Sequence, residues 1–331
     1  MKRVTIGRAA LGIALVVSVV ATSVPAQGQP ARAPRIGILI GTSPSGAQHY
    51  LDAFRQGLRE HGYTEGQSIL IEYRWAEGRQ ERFAALAREL VDLKVDVIVA
   101  TVSAAAVAAR GVTATIPIVM LVVGDPVQLG LVTSLARPGG NLTGLTSVGD
   151  ELFTKQVQLL KEAIPSVSRV AVLWNPSNPG HQPRLKSIEI AARSLKMQAR
   201  TLPVRAPEQL DGAFASMTTA RTDALLVVAD VMFFLHRGRI AELAMKARLP
   251  TIYGNREHAE DGGLMAYAAS YDDLYRRGAG YVDRILKGAH PSDLPVAQPT
   301  RFELVVNLKT AQALGLTMPP SLLLRADRLV E

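Results

Sequence analysis

The sequence predicts an α/β protein of two Rossmann-like lobes joined by a multi-strand hinge. Short apolar runs, such as Val95–Ala100 and Ile116–Val123, alternate with helical segments and end in small polar loops. This pattern is typical of strands buried in a parallel sheet. The same alternation returns in the second half of the chain, for example at Ala224–Val228. A chain of 331 residues also exceeds what one hydrophobic core usually supports, so two lobes are expected.

The N-terminal segment 1–26 has the pattern of a cleavable secretory signal peptide. Basic residues come first, the apolar run Ala9–Val20 follows, and Val24–Ala26 is a small-residue cleavage site before Gln27. The apolar run is shorter than the ~20 residues that span a bilayer, which disfavours a membrane anchor. The chain has no cysteine, so it has neither disulfides nor a lipid-modified cysteine. We therefore expect a free periplasmic protein.

The charge pattern disfavours a nucleic-acid partner. The formal net charge is +8, and it falls to +5 when the three basic residues of the leader are removed. The remaining basic residues are scattered among acids, as at Glu81–Arg82 and Arg88–Glu89, so they form no basic stripe. No helix-turn-helix pattern precedes the first strand either.

The first lobe begins with a βα series that resembles half of a doubly wound sheet. Strand Arg35–Ile40 ends in the loop Gly41–Gly46, and the amphipathic helix Ala47–His61 follows. Strand Ser68–Trp75 and helix Arg79–Leu93 come next, before the two core strands named above. This β-α-β-α-β-α-β order predicts a mononucleotide-binding type of half-fold.

A second βα series follows the Pro- and Gly-rich connection Gln128–Thr146. Its predicted elements are helix Asp150–Ala163, strand Arg169–Leu173, helix Gln182–Leu195, strand Met197–Leu202, helix Pro207–Ala220, strand Ala224–Val228, helix Met232–Ala247 and strand Pro250–Tyr253. Strand Leu264–Tyr267 and helix Tyr271–Lys287 are expected to return to the first lobe, and the segment from Phe302 to the second. The predicted lobes are thus 34–147 with 262–292, and 148–261 with 293–331.

The predicted ligand site lies at the carboxyl ends of the strands, where open α/β sheets bind their ligands. Hydroxyls and backbone amides at helix N-termini favour an anion, so Ser43, Ser45, Thr101 and Ser103 are candidates for a ligand carboxylate. For Ser43 and Ser45, helix capping is an equally good interpretation.

Two acidic residues at strand ends are candidates for a ligand ammonium group, namely Asp125, beside Gly124, and Asp230. The alternative for both is a turn or a helix cap. Further predicted contacts, through hydrogen bonds or stacking, are Gly124, Asn175, Tyr253 and Asn255.

Several phrases in order along the chain carry a family resemblance. They are Glu65–Gln67 with Ile71–Gly78, Val122–Pro126, Leu135–Asn141, Ala171–Pro176 and Asn307–Ala311. Together they resemble the ABC transporter substrate-binding family that includes tryptophan-type binding proteins. The resemblance implies a type I periplasmic-binding-protein fold, whose lobes close on a small ligand that is handed to a membrane permease with a separate ATPase. The loop Thr101–Ala104 departs from the family pattern, where more glycine and a Thr-Pro pair are expected.

Catalytic, metal and nucleotide motifs are not found in the sequence. The six histidines are scattered, and no Gly-rich dinucleotide or phosphate loop follows the first strand. Glu257–His258 with Asp261 is the best metal candidate, but a solvated acidic helix face is the better interpretation. We therefore predict a monomeric solute-binding protein without a cofactor, which captures an amino acid or related carboxylate for an ABC permease. The alternatives are a ligand sensor for a membrane receptor and an exported enzyme.

Overall fold

The computed structural model describes Met1, residues 32–147 and residues 152–331. Apart from Met1, the predicted signal peptide lies outside these residues, as do the first residues of the helix predicted at Asp150–Ala163. Within the described part, no helix is both long and apolar enough to cross a membrane.

The first sheet is parallel, with the strand order β2-β1-β3-β4-β5. Its strands are β1 (Arg35–Ile40), β2 (Leu70–Trp75), β3 (Val97–Ala100), β4 (Ile118–Val123) and β5 (Leu142–Thr146). β1, β3, β4 and β5 are buried almost throughout, because helices cover both faces of a parallel sheet. This explains the continuous apolar sequences of β3 and β4.

The second sheet has the order β12-β11-β10-β9-β8-β6-β7 and is parallel except where β10 meets β11. Its strands are β6 (Arg169–Trp174), β7 (Gln198–Pro203), β8 (Ala224–Val227), β9 (Thr251–Tyr253), β10 (Met265–Ala269), β11 (Phe302–Asn307) and β12 (Arg328–Val330). Apolar cores lie on both of its faces.

Helices connect and cover the strands of both sheets. They are α1 (Pro44–Glu60), α2 (Phe83–Asp92), α3 (Ser103–Val112), α4 (Leu152–Ala163), α5 (Gln182–Ser194), α6 (Leu210–Thr219), α7 (Val231–Leu235), α8 (Arg237–Lys246), α9 (Arg256–Glu260), α10 (Tyr271–Leu286), α11 (Leu308–Leu314) and α12 (Pro320–Leu323). The first lobe is the first sheet with α1, α2, α3 and α10. The second lobe is the second sheet with the remaining helices.

In the first lobe, α1 and α10 pack side by side on one face of the sheet. Phe54 and Leu58 from α1 share a buried cluster with Leu274 and Val282 from α10. Gly57 permits this close approach, because a Cβ there would lie 2.3 Å from the carbonyl oxygen of Arg276. The pairing brings Tyr50 of α1 beside Tyr271, the first residue of α10, at the end of the sheet where the ligand site is expected.

Two segments differ from the predicted lobe boundaries. β10 belongs to the second sheet, where Met265 is in register with Ile252 and Val306, although residues 262–292 were assigned to the first lobe. An apolar strand pattern does not specify which sheet the strand joins, and the chain returns to the first lobe only at α10. Conversely, residues 294–297 lie on the first lobe, since Ala297 bridges Leu145 and the Thr143 hydroxyl donates to the Leu294 carbonyl.

Candidate functional site

A cavity lies between the two lobes, at the carboxyl ends of both sheets. The space open to the centre of a water molecule is about 100 Å³. Loops after β1, β3 and β8 line it, together with the first turns of α5, α7 and α10. Its polar lining residues are Thr42, Gln80, Thr101, Ser103, Ser147, Asn178, Arg184, Asp230 and Asn255, and its aromatic lining residues are Tyr50, Phe83, Phe234, Tyr271 and Tyr275.

Arg184 carries the positive charge of the cavity. It lies in the first turn of α5, and its guanidinium is 5.6 Å from the centre of the Phe153 ring. Its Nε is buried without a hydrogen-bond partner in the described part of the chain. Burial lowers the pKa of Arg184, while the hydroxyl of Tyr271 and the carboxylates of Asp230 and Asp125 act in the opposite direction. An arginine stays protonated under these conditions, so the cavity presents a desolvated cation.

Hydroxyl groups from the first lobe surround the same space. The Thr42 hydroxyl is buried without a partner among the described residues. The Ser103 hydroxyl accepts a hydrogen bond of 3.0 Å from the Gly124 backbone N–H, so its own proton remains available to donate. Thr101 instead donates to the Leu39 carbonyl at 2.9 Å. Thr42 and Ser103 are therefore the hydroxyls best placed to donate to a ligand anion.

Tyrosine rings form one wall of the cavity. Tyr50 stacks on Tyr275 with 5.2 Å between ring centres, and its ring centre is 5.8 Å from that of Tyr271. Burial raises the pKa of Tyr271 to about 12, so this hydroxyl stays neutral and adds no negative charge. Phe83 and Phe234 contribute rings from the first and second lobe. This composition suits a planar apolar group, because aromatic pairs gain ~0.5–1.5 kcal/mol beyond their buried area.

Asp230 lines the cavity, but its oxygens are already bonded within the second lobe. Oδ1 accepts from the Asn175 side chain at 3.1 Å and from the Met232 backbone N–H at 2.9 Å. Oδ2 accepts from the Asn178 side chain at 2.8 Å. Asp230 is thus the N-cap of α7, and it ties the loop after β6 to the end of β8.

His181 completes this network and is held as a neutral imidazole. Its Nδ1 accepts from the Asn175 backbone N–H at 3.0 Å, so Nε2 carries the proton and donates to the Ala229 carbonyl at 3.0 Å. Burial lowers the pKa of His181 to about 4 against the opposing charge of Asp230. Since the Arg184 backbone N–H donates to the His181 carbonyl, the network also fixes the start of α5 and with it Arg184.

Four of the ten predicted site residues line the cavity: Thr101, Ser103, Asp230 and Asn255. The other six lie close by but have different surroundings. Ser43 caps α1 by accepting from the Gly46 N–H, and Ser45 contacts the Ser43 hydroxyl. Asp125 accepts from the backbone N–H groups of Val127 and Gln128, at 3.0 Å each.

The remaining three predicted residues act from behind the cavity wall. The Gly124 N–H supports Ser103, and Asn175 supports Asp230. Tyr253 is fully buried and stacks on His258 with 4.7 Å between ring centres.

The sequence does not predict three parts of the site, namely Arg184, Thr42 and the aromatic wall. One signal for Arg184 was present. A basic residue in the first turn of a helix opposes the helix dipole, so an arginine just after the predicted start of α5 needs another reason to be there. Thr42 precedes the two predicted residues Ser43 and Ser45, and composition alone does not distinguish these three hydroxyl side chains.

The metal alternative at Glu257, His258 and Asp261 is not supported by the geometry. Glu257 is bonded to Tyr50 and His49, His258 is buried beside Tyr253, and Asp261 pairs with Arg237 at 2.6 Å. Over the described residues, no group of three or more histidine, cysteine or acidic side chains could hold a metal ion.

The family model described as ABC transporter substrate binding protein matches residues 35–330. The chain belongs to this family. A tyrosine-binding protein of Clostridioides difficile is 26% identical over 263 residues, which cover 80% of this chain and 75% of the relative. Both results confirm the resemblance drawn from the sequence.

Two solved structures share the fold over almost all of their length. An ABC domain from Streptococcus pneumonia in complex with L-Trp is 26% identical, with a TM-score of 0.85 over 90% of this chain and 99% of that one. A conserved domain protein from Vibrio cholerae is 25% identical, with a TM-score of 0.86 over 90% and 100%. The predicted α/β fold of two lobes, of the type I periplasmic-binding-protein kind, is confirmed.

Proposed function

We propose that this protein is the periplasmic solute-binding component of an ABC transporter. It captures an amino acid or related carboxylate between its lobes and delivers it unchanged to an inner-membrane permease, acting as a monomer. Membership of the substrate-binding family supports the transporter role. The cavity between the lobes supports the choice of ligand.

The observation that carries the proposal is the guanidinium of Arg184, which lines the cavity and whose Nε is buried. A desolvated cation whose Nε has no partner in the described structure is unfavourable until an anion binds, because removing a charge from water costs several kcal/mol. A ligand carboxylate supplies that anion, and the hydroxyls of Thr42 and Ser103 add two donors from the opposite lobe. The carboxylate therefore bridges both lobes.

The aromatic lining indicates the kind of side chain that the ligand carries. Tyr50, Tyr271 and Tyr275 offer ring faces, and Phe83 and Phe234 close the space from the two lobes. An aromatic amino acid suits this wall, in line with the tyrosine and L-Trp named for the two relatives. The carboxylate of Asp230 faces the same cavity, and three of its ~four acceptor positions are occupied. Its negative charge favours a ligand ammonium.

The mechanism consists of hinge closure without covalent chemistry. Ligand binding supplies contacts that exist only when the lobes meet, and this difference in affinity shifts the population toward the closed form. Charge pairing between the carboxylate and Arg184 supplies part of that difference. The apolar contacts of the ligand's aromatic group supply the rest.

Isothermal titration calorimetry of the mature chain with L-tyrosine, L-tryptophan and other amino and aromatic acids tests the proposal. We expect saturable binding by at least one of them, and mass spectrometry should recover that ligand unmodified. Chemical conversion of the ligand would support an exported enzyme instead. Binding by none of these carboxylates would refute the proposed ligand class. Uptake of the labelled ligand by cells that express the permease, with and without this protein, tests delivery.

A further inference from the structure

Three glycines lie where one lobe meets the other, next to residues that line the cavity. Gly41 follows β1, Gly124 follows β4, and Gly180 precedes α5. A Cβ atom at Gly41 would lie 2.8 Å from Val231 Cγ2, and one at Gly124 would lie 2.8 Å from Arg184 Nη2. At Gly180 it would lie 3.0 Å from Ser103 Oγ. Each of these three contacts joins the first lobe to the second.

The backbone conformation does not explain these glycines. Many glycines in the chain have positive φ, as Gly78 and Gly144 do, but Gly41, Gly124 and Gly180 do not. An alanine could therefore adopt the same local backbone. The space that is missing for a methyl group is the space occupied by the opposite lobe.

We propose that Gly41, Gly124 and Gly180 determine how closely the lobes can approach and thereby set the ligand affinity. The inference rests on the proposed function, since it assigns these positions a role in closure around the ligand. All three opposing residues, Val231, Arg184 and Ser103, line the cavity. A side chain at any of the glycines displaces a residue of the binding site at the same time as it holds the lobes apart.

The expected energetic effect is confined to the closed form. In an open form the two lobes are separated, so a methyl group added at Gly41 meets only Val102 of its own lobe, at ordinary van der Waals distances of 3.4 and 3.6 Å. In the closed form it overpacks a contact. A variant with a side chain at one of these glycines should therefore have the unfolding free energy of the ligand-free open protein, but its lobes should close less readily. Gly41→Ala is the cleanest case, because Val231 has a short, stiff side chain.

The absence of cysteine from the chain permits a reporter of closure that needs no ligand. A Cβ at Gly180 would lie 3.5 Å from the Cβ of Ser103, within the range that a disulfide requires. The double variant Ser103→Cys/Gly180→Cys should therefore cross-link the lobes when they close. The side chain at position 180 does not hold the lobes apart in this variant, because a disulfide places the Cβ of one cysteine next to the sulfur of the other, as the Cβ position of Gly180 lies next to Ser103 Oγ. Oxidation kinetics, followed by non-reducing electrophoresis and mass spectrometry, then measure closure directly.

Gly41→Ala in this reporter background tests the inference. We expect cross-linking to slow about tenfold, the factor that corresponds to ~1.4 kcal/mol of overpacking. Gly111→Ala is the matched control, since Gly111 lies in α3 of the same lobe with open space around its Cβ position, and it should cross-link at the parent rate. Adding Val231→Ala removes the methyl groups that the new Cβ meets, so it should restore the rate of Gly41→Ala.

The outcomes separate this inference from the proposed function. Three results would each overturn the role of the glycines. Gly41→Ala could cross-link at the parent rate, or it could cross-link more slowly without rescue by Val231→Ala. The third result is a parent that never cross-links. Calorimetry with L-tyrosine and L-tryptophan, without the cysteines, should show an affinity loss of similar size for Gly41→Ala. If the wild-type chain binds no carboxylate, the proposed function fails, while the cross-linking result still decides the role of the glycines.

Discussion

The Tyr50 hydroxyl donates a hydrogen bond to Glu257 Oε1, and this contact joins α1 of the first lobe to α9 of the second. His49 Nε2 lies 3.2 Å from the same oxygen, and Arg256 Nε lies 3.4 Å from it. Tyr50 also lines the cavity. A carboxylate outside the ligand site thus holds one wall of that site in place.

Replacing Glu257 with glutamine should weaken this contact between the lobes. Burial acts to raise the pKa of Glu257, but hydrogen bonds from His49 and Tyr50 outweigh it and bring the pKa down to about 2. A carboxyl whose folded pKa is depressed contributes stability above its unfolded pKa, near 4.5, and loses it as the pH falls toward 2. Between these two pH values the Glu257 carboxylate should account for a loss of up to ~3 kcal/mol in the unfolding free energy of the wild-type protein. Urea unfolding of Glu257→Gln should not show this loss. Equal pH profiles for wild type and variant would argue against this account.

Replacing Arg184 with glutamine should separate binding from stability. The ligand carboxylate loses its charged partner, which costs ~2–5 kcal/mol or at least a thirtyfold loss of affinity. The ligand-free protein should be as stable as wild type or more so, since the change removes a desolvated cation whose Nε has no partner among the described residues. Calorimetry and thermal unfolding without ligand measure the two effects. Arg193→Gln, an exposed change on the same helix, should alter neither, and an equal effect of both changes would contradict the assignment.

The sequence predicted the sheets better than it predicted the site. Buried parallel strands are recognisable because both faces are covered, so β3 and β4 read as continuous apolar runs. β10 has the same kind of pattern, yet it pairs with Ile252 and Val306 in the second sheet and not in the predicted first lobe, because the pattern does not specify the partner strands. Local pattern determines that a segment is a strand, whereas long-range packing determines which sheet it joins.

The site was only partly predictable for a related reason. Small polar residues at strand ends mark the correct edge of the sheet, and Ser103 was found that way. The same residue types also cap helices, as Ser43 does, and the sequence does not separate the two roles. Arg184 was missed because its function depends on the burial of its side chain, which only the packing of α5 against the cavity produces.

Substitution of His181 should change the pH dependence of stability in mildly acidic solution. Burial lowers the folded pKa of His181 to about 4 from an ordinary value of 6.5. The unfolded chain therefore binds an extra proton between these values, and stability falls as the pH drops from 6.5 toward 4. The buried His258, whose pKa burial also lowers to about 4, has the same effect.

The variant His181→Gln should lose the contribution of His181, which is about 1.4 kcal/mol of unfolding free energy per pH unit. It should keep the contribution of His258. Urea titrations at several pH values provide the measurement. The variant should also be less stable at neutral pH, because the Asn175 N–H and the Ala229 carbonyl lose their partner. His290→Gln, at an exposed position, is the control, and an unchanged slope in His181→Gln would exclude the proposed protonation.

The substitutions Asp230→Asn and Asp125→Asn should distinguish a carboxylate that needs both of its oxygens from one whose single bonded oxygen an amide can replace. Asp230 accepts three hydrogen bonds through two oxygens, and an asparagine would turn an amide donor toward at least one of those donors. Leaving a buried donor unsatisfied costs ~1–3 kcal/mol. Asp125 accepts both of its turn hydrogen bonds through Oδ1 alone, so the oxygen of an asparagine can replace it. Thermal unfolding should show a clear loss for Asp230→Asn and almost none for Asp125→Asn. Equal losses would mean that the network around Asp230 does not stabilise the site.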